Sequence, residues 1–80
     1  MSENLKKLYK LLAQVLSISE DDINDNLSHE NSEKWDSFTG LMLVAELEKT
    51  FEVSFAMEEV LEIRSVGAIK EHLIKHGVML

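Results

Sequence analysis

The 80-residue chain has no cysteine, no proline and only three glycines. Without cysteine there is no disulfide framework, no thiolate metal site and no protein thiol to serve as a nucleophile. Any sulfur chemistry must come from a group the chain does not encode. Without proline nothing breaks long helices, and three glycines are too few for a glycine-rich phosphate cradle or an oxyanion loop. No run of 18 apolar residues occurs and no basic stretch precedes an apolar one, so neither a membrane span nor a signal peptide is expected and a cytoplasmic location follows by default. Positive charge is scarce as well: eight Lys and Arg stand against fifteen Asp and Glu, for a net charge of −7. Thirteen of the fifteen acids fall within residues 20–62, while both ends are mildly basic. Such a centre repels phosphate backbones and attracts basic protein surfaces, so nucleic acid is a poor partner. What remains, 45% hydrophobic and 29% charged, suits one small monomeric domain over residues 1–80, with a stability of about 4–12 kcal/mol.

Helices should dominate. Leu5, Leu8, Tyr9, Leu12, Val15 and Leu16 recur with a 3.6-residue period and predict a first helix over 3–16, capped by Ser2. Residues 17–35 lose that period and are rich in Ser, Asp, Asn and Glu, which compete for backbone hydrogen bonds. They read as a long loop anchored by Ile18, Ile23, Leu27 and Trp35. Asp36 is a good cap for a second helix from 37 to about 50. That helix has two apolar stripes. Leu43, Val44, Leu47 and Phe51 lie on one side; Phe38, Leu41, Met42 and Ala45 lie nearly opposite. The second stripe runs on into Lys49 and Glu52, which belong in water, so the first is assigned to the core and the second to a docking patch. A wholly buried central helix is the competing reading. A short, mobile helix should follow within 53–62, starting near Ser54 with its hydroxyl as cap. Ser65 should cap a last helix carrying Val66, Ile69 and Leu73, ended by Gly77. The expected fold is all-α: a small four-helix bundle with three principal helices, one short third helix and a long first loop.

Most other constellations fail on their chemistry. Asp22, Asn24, Asn26 and Glu33 approach the spacing of a calcium loop, but Leu27 holds the position that needs glycine. His72 and His76 have a metal-sharing spacing but no third ligand, and histidine near a helix C-terminus is favourable by itself. No metal site is assigned, and His29 carries no signal. Ser37 with a histidine lacks the elbow and oxyanion loop of a hydrolase, so an enzyme is not expected. Ser37 itself stands at the first position of a helix, after an acidic cap and beside the exposed stripe. Free N–H groups and the macrodipole there favour an attached anion. By position alone it reads first as an ordinary first-turn serine.

Trp35-Asp36-Ser37-Phe38, followed by Leu43-Val44-Ala45-Glu46-Leu47-Glu48-Lys49-Thr50-Phe51, resembles the acyl carrier protein family. The later stretch Ile63-Arg64-Ser65-Val66-Gly67-Ala68-Ile69 resembles the opening of that family's last helix. The resemblance implies a carrier fold in which Ser37 bears 4'-phosphopantetheine, taken from coenzyme A by a phosphopantetheinyl transferase. Asp36 matches the acid that assists transfer, where Mg2+ takes part. The arm's thiol then holds acyl, polyketide or aminoacyl groups as thioesters for loading, condensing or acyl-transferring enzymes. Phe38, Leu41, Met42 and Ala45, with the acids Glu48, Glu52, Glu58, Glu59 and Glu62, would meet those partners. Met42, Lys49, Met57 and Leu61 stand where fatty-acid carriers often have acids or polar residues, which points to a specialised pathway. The alternative is an unmodified acidic adaptor that docks through the exposed stripe alone.

Overall fold

The computed structural model describes residues 2–80. It contains four α-helices, α1 (Glu3–Leu16), α2 (Ser37–Phe51), α3 (Met57–Glu62) and α4 (Val66–Lys75), with a 3-10 turn at Glu20–Asp22. The three long helices begin where a polar side chain satisfies a free N–H, as helix starts require. Ser2 accepts from Leu5 N–H at 3.0 Å, Asp36 from Thr39 N–H at 2.9 Å and Ser65 from Ala68 N–H at 3.1 Å. Thr39 Oγ1 in turn accepts from Asp36 N–H at 2.9 Å, which completes a capping box at the start of α2. At the other end of the chain Gly77 turns left-handed (φ 87°), and Val78 N–H reaches back to Leu73 O at 2.9 Å to close α4.

The core sits among α1, α2 and α4. Leu8, Leu12 and Leu16 meet Leu43, Leu47, Val66, Ile69 and Leu73, and the loop adds Ile23 and Trp35. The two stripes of α2 divide as their neighbours in sequence suggest: Leu43, Val44 and Leu47 are buried, while Phe38, Leu41 and Met42 are exposed. A wholly buried α2 is therefore excluded.

One expectation needs correction. The short helix starts at Met57, not near Ser54, and Ala56 is its cap residue. Alanine offers no acceptor, so Glu59 reaches back from the first turn and takes the Ala56 N–H at 2.9 Å; the carboxylate does the work that the Ser54 hydroxyl would have done. The long loop is irregular, as expected, apart from its 3-10 turn. Its residues bond one another, as in Asn31 Nδ2 to Asn26 O at 2.8 Å and Ser28 N–H to Asn31 Oδ1 at 2.9 Å. They also bond α4 and the link before it: Ser28 and Ser65 form an antiparallel bridge, Val66 N–H donates to Leu27 O at 2.9 Å, and Gly67 N–H to Asp25 O at 3.1 Å. Lys70 Nζ adds a contact to Asp25 Oδ1 at 2.6 Å while also reaching Tyr9 Oη at 3.0 Å.

The division of α2 can be tested by urea denaturation. Leu47→Ala should cost about 2–5 kcal/mol, since it empties a fully buried site. Leu41→Ala, on the exposed stripe, should change stability by no more than about 0.5 kcal/mol. Equal losses would refute the two-faced helix.

Candidate functional site

Ser37 is the first residue of α2 and is exposed. The cap before it is tightly built. Asp36 takes Thr39 N–H, and the Thr39 hydroxyl also donates to Lys34 O at 2.8 Å, tying the helix start to the end of the loop. Backbone N–H donation, Thr39 first, favours the ionised carboxylate and lowers the Asp36 pKa below its ordinary 3.8. The site therefore presents a hydroxyl next to a fixed negative charge at a helix N-terminus.

Ser37 and Asp36 help line an open cleft of about 300 Å3 between α2 on one side and α3 with the α3–α4 link on the other. Leu41 and Val44 form one wall, Val60 and Leu61 of α3 another, and Trp35 belongs to the lining too. Besides Asp36 and Ser37, the polar members are His29 and Arg64, which sequence reasoning passed over. They lie 35 residues apart, and Arg64 Nε donates to His29 Nε2 at 2.8 Å. No periodicity or spacing links the two; the bridge between Ser28 and Ser65 beside them does.

The expected docking residues separate into two groups. Phe38, Leu41, Met42 and Ala45 form an exposed stripe leading away from Ser37, and Met57 and Leu61 on α3 extend the apolar surface. Glu52, Glu58 and Glu62 are exposed acids, with one Glu62 oxygen 3.3 Å from His72 Nε2. Glu48 and Glu59 are engaged inside the molecule. Glu48 Oε2 accepts from Phe55 N–H at 2.8 Å, closing the turn after α2. The Glu59 carboxylate receives His72 Nδ1 at 3.2 Å and His76 Nε2 at 2.8 Å in addition to Ala56 N–H. Phe55 packs edge-on against both imidazoles. The pair His72/His76, whose spacing raised the question of a metal, thus pins α3 to α4.

That attachment has a pH signature. Donation by Ala56 N–H, then by His76, holds the Glu59 carboxyl at about 2, against an ordinary 4.5. The unfolded chain binds the proton more readily, so stability from this group is full above about 4.5 and is lost as pH falls from there towards 2. Glu59→Gln should lower the melting temperature at pH 7 and flatten its decline between those two values. A variant whose melting curve tracks wild type across the whole range would show that Glu59 does not hold α3.

A family model described as a phosphopantetheine attachment site matches residues 6–73. No curated protein matches the chain. The matched span runs from α1 to the last turn of α4 and includes Asp36, Ser37 and the cleft beside them.

Proposed function

From the chain's membership of the phosphopantetheine-attachment family, we propose that it is a discrete acyl carrier in which Ser37 is the attachment point. One observation carries the choice of serine: Ser37 is exposed at the capped start of α2, in the lining of the cleft. The residues around it suit such an arm. Helix N–H groups favour a phosphodiester there, and the cleft offers apolar walls to an aliphatic chain. When attached, the arm supplies the thiol that the chain lacks and holds cargo as a thioester. Carriers of this family are generally non-catalytic and work with a phosphopantetheinyl transferase and with biosynthetic enzymes.

In the modification itself the Ser37 oxygen forms the new bond to phosphorus as coenzyme A loses its adenosine 3',5'-bisphosphate portion, and the hydroxyl proton passes to a base of the transferase. Asp36 stays ionised through its cap bonds, which suits it to face a magnesium ion carried by that enzyme. Phe38, Leu41 and Met42 then form the apolar part of the partner surface, with Glu52, Glu58 and Glu62 as outward acids for basic enzyme faces. Glu48 and Glu59 serve the fold first, since intramolecular donors occupy their carboxylates.

Incubation with coenzyme A, magnesium and a broad-specificity phosphopantetheinyl transferase should add one phosphopantetheine by intact mass. Ser37→Ala should abolish the addition and leave the helical spectrum unchanged. An unmodified wild type would favour the adaptor reading, and a label on Ser32 or Ser54 would displace Ser37.

A specialised pathway is supported by the surface itself. Met42, Met57 and Leu61 are exposed and apolar, and Lys49 interrupts the acids of α2. A missing charge or an added apolar group penalises the wrong enzyme. Loaded with a malonyl group, the protein should be turned over far more slowly by a fatty acid ketosynthase than that enzyme's own carrier, and Met42→Glu with Lys49→Glu should restore part of the rate. Equal turnover of the two carriers would assign this chain to general fatty acid synthesis.

A further inference from the structure

The cleft beside Ser37 contains a cation for which the carrier reading has no use. Arg64 is the only arginine in a chain of net charge −7, and it lines the cleft together with Ser37 and Asp36. Its position is fixed at two points. The Arg64 carbonyl accepts from His29 N–H at 3.1 Å, and Arg64 Nε donates to His29 Nε2 at 2.8 Å. The residues on either side are held as well, Ile63 by burial and Ser65 by its bridge to Ser28. Among the described residues the ion pairs are made by lysines and histidines, and Arg64 makes none within 4.0 Å. A guanidinium has five N–H donors and keeps its charge at any accessible pH. With Nε given to the His29 imidazole, the terminal amino groups are available to an anion.

A phosphodiester on Ser37 is that anion. It brings a further negative charge next to the ionised Asp36 cap, in the most acidic part of the chain. The helix start offsets only part of that repulsion, because Asp36 already occupies the Thr39 N–H. A planar guanidinium matches two phosphate oxygens and binds them more strongly than a neutral donor does. We infer that Arg64, braced by His29, is a positioning residue for the arm: it pairs with the phosphodiester on Ser37 and turns the arm into the cleft between α2 and α3, away from solvent. This inference rests on Ser37 as the attachment point. It gives His29, which carries no signal in the sequence, the task of orienting the guanidinium.

The test uses the holo protein with a free thiol, in wild type, Arg64→Gln and Arg64→Lys forms. Intact mass and peptide mapping first establish one phosphopantetheine on Ser37, so a failure of attachment is recognised separately from a failure of positioning. The readouts are the 31P shift of the phosphodiester and cross-relaxation between the geminal methyls of the arm and the methyls of Val60 and Leu61. Wild type should show those contacts. Arg64→Gln should move the 31P resonance towards that of a modified unstructured peptide and reduce the docked population about tenfold, the scale of one charge-assisted hydrogen bond. Arg64→Lys should recover part of both. If Arg64→Gln fails to fold, the side-chain 15Nε resonance of Arg64 in wild type decides: it should shift between apo and holo forms, and an unchanged resonance overturns the inference. So do identical 31P shifts and contacts in wild type and Arg64→Gln. The free-thiol arm has no other anion, so an effect that appears only after malonyl loading would assign Arg64 to a cargo carboxylate and likewise refute the pairing with phosphate.

Discussion

The pairing of the long loop with the link before α4 is the constraint on which the site depends. Three backbone hydrogen bonds, joining Asp25, Leu27 and His29 to residues 64–67, two of them forming the bridge between Ser28 and Ser65, fasten an otherwise irregular segment to the start of a helix. Backbone polar groups must be satisfied wherever they lie away from water, and a loop of this length with so few apolar residues cannot find its place by burial alone. Gly67 shows how close the approach is: a Cβ there would lie 3.3 Å from the Asp25 carbonyl oxygen. Once the loop is fastened, Trp35 is carried into the core, the Lys34 carbonyl meets Thr39, and the start of α2 is set. Ser37, His29 and Arg64 come to one cleft as a consequence.

The excess of acid looks uniform in composition and is not uniform in use. Asp36, Glu48 and Glu59 each accept a backbone N–H that the helices leave unpaired at a start or a turn. Those groups would be wanted in any protein with these turns, and they say little about partners. Glu52 and Glu58 are exposed, where charge serves solubility and the long-range attraction of basic surfaces. Glu48, Glu52 and Glu59 are the same residue type, yet the carboxylates of Glu48 and Glu59 hold backbone N–H groups of the fold while Glu52 is exposed.

The fold was largely legible because its signals are local. Period and cap fix α1, α2 and α4 from within each segment, with a terminating glycine in addition for α4, and the polar continuation of the Phe38 stripe into Lys49 and Glu52 was enough to tell the two faces of α2 apart. Legibility ended where a role depends on a residue distant in sequence. The start of α3 was misread because Ser54 is a better cap by type than Ala56, while the actual partner of the Ala56 N–H is Glu59, itself steadied by two histidines from the next helix. Arg64 and His29 escaped for the same reason: each is an ordinary surface residue until the loop brings them within 2.8 Å.

The cleft has one rigid wall and one weak one. Its α2 side belongs to a helix with three buried residues, continuous with the core through Val44. Its α3 side is a helix of six residues with none fully buried, too short to be stable alone and held by its flanks, Phe55 and Ile63, and by the Glu59 carboxylate between His72 and His76. Displacing α3 therefore breaks the part-buried contacts of one carboxylate and strains two buried flanks, whereas displacing α2 opens the centre of the core. Local opening follows the least stable element, which assigns any widening of the cleft to its α3 side, at Val60 and Leu61, rather than to Ser37 on the α2 side. Under the carrier role proposed above, with Ser37 as the attachment point, a cargo held in the cleft would be released on the α3 side, and Ser37 would not move relative to the apolar stripe of α2.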